Sequence, residues 1–198
     1  DLSNGGTHTA WEDVALIREI PGAVICDPAD DVQMEWIIKE FLKMEGIHYV
    51  RSNRKAVRNV YKKGSSFKIG QGNILKEGKD ILIIAAGQLV SEALDCAEEL
   101  EKEGYSVEVI DMFTIKPLDE KLLIKEAKGK SKIVTIENHS IYGGLGSAVS
   151  EVIAENGISV PVKRIGVKEK FGQVGTAEFL QEEFGLTAKQ IKETICQF

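Results

Sequence analysis

Residues 79–112, KDILIIAAGQLVSEALDCAEELEKEGYSVEVIDM, decide the fold. An apolar run ends at Gly87, a helical stretch runs from Ser91 to Glu103, Gly104 stops it, and a second apolar run follows. Apolar strands separated by a helix of this length imply parallel neighbours joined by a crossover, in a sheet covered on both faces. The same alternation continues to the end of the chain. A helix is expected from Asp119 to Lys128, then a strand at KIVTIEN (132–138), a helix from Gly146 to Glu155, a strand at VPVKRIGV (160–167), and two threonine-capped helices at 176–184 and 187–195.

Upstream the pattern is shorter. A helix over 9–20 carries Ala10, Val14 and Ile17 on one stripe, with Thr7 as its expected N-cap, and Pro21-Gly22 stops it. A strand at 23–26, a helix from the Asp30 cap to about Met44 and a strand at 47–51 complete an αβαβ stretch. Two strands are too few for an independent sheet. The expected class is α/β: an incomplete first α/β domain (1–62), a linker rich in Gly, Lys and Ser (63–78) that ends in a short strand or hairpin, and a complete three-layer α/β/α domain with a mostly parallel sheet (79–198). The chain opens at Asp1 in a loop-like stretch, which reads as a fragment, a split subunit or a processed chain.

The totals exclude several classes. Twenty-five basic against 31 acidic residues give a net charge of −6, a poor match to non-specific nucleic-acid binding. No apolar run approaches the ~20 residues that span a bilayer, and no secretory leader opens the chain, so a cytoplasmic location without membrane contact is expected. Cys26, Cys96 and Cys196 are too far apart for a metal-binding pair and read as reduced thiols, with Cys26 as buried filler.

Three stretches could carry chemistry. In IENHSIYGGLGSAVSEV (136–152) a strand enters a Gly-rich loop and then a helix, a shape that can cradle phosphate, but the spacing fails the dinucleotide fingerprint. A tight turn with close helix–strand packing is the plainer reading, with His139 bonded to backbone. HYVRSNRKAVRNVYKK (48–63) gathers Arg51, Arg54, Lys55 and Arg58 just past a strand end, where guanidinium groups suit phosphate or carboxylate, or form a solvated edge. His8, after a glycine turn and before a helix, is either a locally bonded bystander or a neutral imidazole suited to moving protons.

Taken in order, five stretches resemble the transketolase family of thiamine-diphosphate enzymes, over nearly the whole chain. They are GGTHTAWEDVALIREIPGAVICDPAD, YVRSNR, FKIGQGNILKEGKDILIIAAG, IENHSIYGGLGSAVSEVIAENG and VKRIGVKEKFGQVGTAEFLQEEFGLTAKQI. The resemblance implies transfer of a two-carbon ketol unit between sugar phosphates, with thiamine diphosphate and Mg²⁺ bound at a dimer interface. It implies that His8 assists proton transfer and that Arg54, or Arg51 in the alternative register, holds the sugar phosphate. Asn4 stands where the family usually carries an aspartate that binds substrate hydroxyls, and Thr9 where it usually carries glutamine. The family's Gly-Asp-Gly motif and activating glutamate lie outside this sequence. The resemblance therefore implies a C-terminal portion that is inactive alone and works as a homodimer, with an N-terminal transketolase half, or both. The alternative is a non-catalytic dimerisation or regulatory module.

Overall fold

The computed structural model describes residues 5–198. Its elements, in chain order, are α1 (Asp13–Arg18), β1 (Val24–Cys26), α2 (Asp31–Phe41), β2 (His48–Val50), β3 (Asn73–Lys76), β4 (Ile81–Ala85), α3 (Val90–Glu101), β5 (Val107–Asp111), β6 (Thr114–Lys116), α4 (Glu120–Glu126), β7 (Lys132–Ser140), α5 (Leu145–Glu155), β8 (Val162–Val167), α6 (Ala177–Glu183) and α7 (Ala188–Gln197).

The larger sheet has the order β3-β5-β4-β7-β8, parallel except for β3, which runs antiparallel to β5 at one edge. Alternation along β4 shows why it lies in the middle. Ile81, Ile83 and Ala85 face a core filled by Val90, Ala93, Ala97 and Leu100 of α3 and by Ile191 and Ile195 of α7. Leu82 and Ile84 face the opposite core, filled by Leu123 of α4 and by Leu145, Val149 and Val152 of α5. Every residue of β4 and β5 is buried, as a strand covered on both faces requires. The expected caps form: Asp30, Thr176 and Thr187 each accept a backbone N–H at a helix start, and Thr187 with Gln190 completes a capping box.

The smaller sheet has the order β2-β1-β6. Its third strand was not expected from the sequence. β6 follows β5 after only two residues and leaves the large sheet to pair antiparallel with β1, Cys26 opposite Thr114. The strand is three residues long, and its flanks Met112 and Phe113 are apolar, so no alternation marks it. Phe113 is fully buried against Cys26 and Ile37, with Trp36 and Phe67 edge-on to its ring. Cys26 is indeed buried filler, its thiol pushed up to about 12 by burial.

The first helix corrects another expectation. It begins at Asp13, not at residue 9, so its cap position is Glu12 and not Thr7; a 3-10 turn over Gly5–Thr7 precedes it. The intervening residues run as a loop because their bonds go elsewhere: Trp11 O accepts from Ser140 N at 2.8 Å. No helix is long and apolar enough to cross a membrane among the described residues.

Phe113→Ala empties a site under the smaller sheet, at the crossing from β5 to β6 that joins it to the larger one. It is expected to cost about 3–5 kcal/mol in urea unfolding with a single retained transition. Separate transitions for the two sheets would contradict coupling through that crossing.

Candidate functional site

An open cleft of about 630 Å³ lies where β1, β2 and α6 converge. His8, Thr9 and Ala10 form one wall, residues 49–58 a second, and the residues around α6, from Gly175 to Phe184, a third. His8 is exposed on this cleft, its backbone N–H bonded to Gly5 O at 2.9 Å. Arg54 is exposed on the same cleft. Lys55 pairs with Glu178 at 3.1 Å and Arg58 with Asp95 at 2.7 Å, whereas Arg54 has no ion-pair partner among the described residues. The structure thus brings His8 and Arg54 to one cavity. Asn4 lies outside the described residues.

Arg51 has a different setting. Its side chain is only 13% exposed, and its fork is filled by the protein. Nε donates to Asp13 Oδ2 at 2.8 Å, Nη1 to Asp27 Oδ2 at 3.0 Å, and Nη2 to Ala10 O at 3.1 Å. Burial opposes its charge, but Asp27 and Asp13 more than offset this and raise its pKa. Tyr49 Oη also donates to Asp13, at 2.8 Å, and burial and that carboxylate push the phenol up to about 12.

Asp27 occupies the seam between the two sheets. Its N–H donates to Phe113 O and its carbonyl accepts from Gly87 N. Gly87 has φ +66°, and a Cβ there would lie 2.5 Å from Asp27 Oδ1, so only glycine fits. A second seam joins the glycines of Gly5-Gly6 to Gly172: a Cβ on Gly6 or on Gly172 would come within 2.6 Å of the other segment's backbone, and Gly6 N donates to Gln173 O at 2.9 Å.

The Gly-rich loop is not an open anion site. The carboxylate of Glu137 reaches the start of α5 and accepts from Leu145 N at 2.7 Å and Gly146 N at 2.8 Å. An internal carboxyl group thus holds the place that a phosphate would take. Close helix–strand packing is the right reading of this loop. His139 lies within β7, not in the loop; its Nδ1 meets Ser140 O at 2.7 Å, and burial lowers its pKa, so it is neutral at pH 7.

Sequence reasoning did not single out Asp13, Asp27, Tyr49 or Glu137 for the site. The one available signal was Asp27 itself, an acid directly after the apolar run Ala23–Cys26, where an open α/β sheet places ligand-facing or structural charge.

Residues 70–191 match the family profile described as "Transketolase, C-terminal domain". The chain belongs to the transketolase family. It is 42% identical to "6-deoxy-6-sulfo-D-fructose transketolase subunit SqwH" of Clostridium sp. (strain MSTE9), over 95% of this chain and 58% of that protein. It is 40% identical to "Putative transketolase C-terminal section" of Methanocaldococcus jannaschii, over 98% of this chain and 61% of that protein. A solved structure titled "Split gene transketolase, inactive beta4 tetramer" matches with TM-score 0.89 and 38% identity, covering 97% of this chain and 62% of that one. A transketolase mutant from Pichia stipitis, 23% identical, shares the fold with TM-score 0.77, over 98% of this chain and 27% of that one. The chain spans about three fifths of the length of the first two relatives.

Glu137 supplies a pH test. Burial raises its carboxyl from 4.5 to about 7, against the pull of the two N–H donors. A raised folded-state pKa gives stability that is full below about 4.5 and lost as pH rises through about 7. The melting temperature of the wild type is therefore expected to fall relative to Glu137→Gln between pH 5 and 8. Parallel curves would contradict this.

Proposed function

We propose that this chain forms the C-terminal portion of a transketolase-type enzyme that moves a two-carbon ketol unit between sugar phosphates. The observation that carries the reading is that His8 and Arg54 share one cleft. In this reading Arg54 binds the anionic end of the sugar phosphate, since a guanidinium with no ion-pair partner among the described residues can offer its planar fork to phosphate oxygens. His8 moves a proton at a substrate hydroxyl, as a neutral imidazole can donate from one nitrogen and accept at the other. Asn4, at the family's aspartate position, would act on the sugar hydroxyls as a neutral hydrogen-bonding group. Lys55 and Arg58 keep the same wall basic while paired.

Thiamine diphosphate with Mg²⁺ is the cofactor of this reading; it supplies the electron sink for cleaving the carbon–carbon bond. The described residues do not fit its diphosphate and metal end. No group of three or more His, Cys, Asp or Glu among them is placed to hold a metal ion, and the Gly-rich helix start is closed by Glu137. In this reading that end comes from another segment or subunit, the chain working in the cytoplasm as a homodimer, with an N-terminal transketolase half, or both, and the chain by itself is inactive.

The test is transfer of two carbons between sugar phosphates by this chain assembled with a transketolase half that supplies the diphosphate site. His8→Ala is expected to lower kcat about 10²- to 10⁴-fold. Arg54→Ala is expected to raise KM for phosphorylated sugars about 10- to 100-fold and to leave unphosphorylated ones little changed. Absence of thiamine-dependent transfer with every ketose phosphate would overturn the reading and favour a non-catalytic dimerisation or regulatory module.

A further inference from the structure

We infer that Arg51 is a positioning residue: it holds the loop that carries His8 and takes no part in binding the sugar phosphate. The inference rests on the proposed role of His8 and goes beyond it by separating the two arginines of YVRSNR.

The geometry separates them. A phosphate ligand needs N–H donors directed into the cleft. Arg51 spends Nε on Asp13, Nη1 on Asp27, and Nη2 on both Ala10 O and Asp13 Oδ1, the last at 3.4 Å. Two carboxylates and a carbonyl leave little capacity for a third anion, and both carboxylates would repel one. Arg54, three residues on, is exposed on the cleft.

The three groups that Arg51 grips show what it does. Ala10 O is two residues after His8, and Asp13 five after it, at the first turn of α1. Asp27 is fixed by backbone bonds to Phe113 and Gly87, on the large-sheet side of the seam. Arg51 therefore ties the His8 segment at two points to a rigid anchor. Ser140 N adds a third tie at Trp11 O, and the Trp11 ring, nearly buried, meets Phe184 edge-on at 4.7 Å. Without Arg51 the loop keeps the Trp11 hold and Asp13 keeps its bond from Tyr49 Oη, but Ala10 O loses its donor and Asp13 its guanidinium. A small displacement of His8 is enough to matter, since a misplacement of about 1 Å can cost about 10²-fold in rate.

The test compares Arg51→Gln, Arg51→Lys and Arg54→Ala in the assembled enzyme, with histidines of this chain ¹³C-labelled. Arg51→Gln is expected to lower kcat about 100-fold and to leave the ratio of KM for phosphorylated and unphosphorylated sugars unchanged. Arg51→Lys, which keeps the charge but cannot span all three acceptors, should recover part of kcat. The His8 imidazole signal should shift or broaden in Arg51→Gln and stay in place in Arg54→Ala. A selective rise in KM for phosphorylated sugars in Arg51→Gln, or an unmoved His8 signal, would overturn the inference. If the wild-type assembly transfers no carbon, the proposed function fails, and the His8 signal still decides the role of Arg51. Should Arg51→Gln not fold, Asp13→Asn reads the same signal, and an unmoved His8 there would overturn the inference equally.

Discussion

A single, largely buried guanidinium, that of Arg51, sets the geometry on which the cleft depends. It joins the first turn of α1, the loop before it and the end of β1 through Asp13, Ala10 and Asp27. Removing one member of such a cluster leaves a charge stranded in a poorly solvated place, which costs about 3–5 kcal/mol. That cost is what fixes the arrangement. A loop held only by solvent-exposed pairs such as Lys55–Glu178 would gain at most about 1 kcal/mol from each.

Polar and apolar ties cross the same seam between the two sheets. β6 leaves the large-sheet region to pair with β1, and Phe113 fills the core beneath. Asp27 bonds to Phe113 and Gly87 through its backbone while its side chain holds Arg51. Lys116 Nζ donates to Arg18 O and Ile20 O, and Arg18 in turn reaches Gly143 O and Glu151. The cleft therefore rests on a floor built by both halves of the chain. The C-terminal part of the chain shapes the site too: α6 supplies a wall, and Gly172 supplies the flat backbone against which Gly6 lies.

The large sheet was legible in the sequence because its signal is local. The buried strand Ile81–Ala85, the helix Val90–Glu101 and the caps at Thr176 and Thr187 each follow from a few neighbouring residues. β6 was not legible, since a three-residue strand is specified by its partner and not by its own pattern. The late start of α1 was hidden for a similar reason. The Thr9–Glu12 stretch has a helical stripe, but Arg51 and Ser140 draw its carbonyls away from helical bonding. Of the site, His8 and Arg54 were visible as residue types in a recognisable order. Their shared cavity, and the acids that occupy Arg51, come from contacts between residues far apart in the chain, which no single-sequence spacing encodes.

A double-mutant cycle between Asp13 and Arg51, read by denaturant unfolding of Asp13→Asn, Arg51→Gln and the pair, measures whether the cluster acts as a unit. Coupling of about 1–3 kcal/mol is expected for side chains that share a buried ion pair. Additive effects within about 0.5 kcal/mol would show that Arg51 and Asp13 act independently, and the guanidinium would then not be what holds the His8 loop.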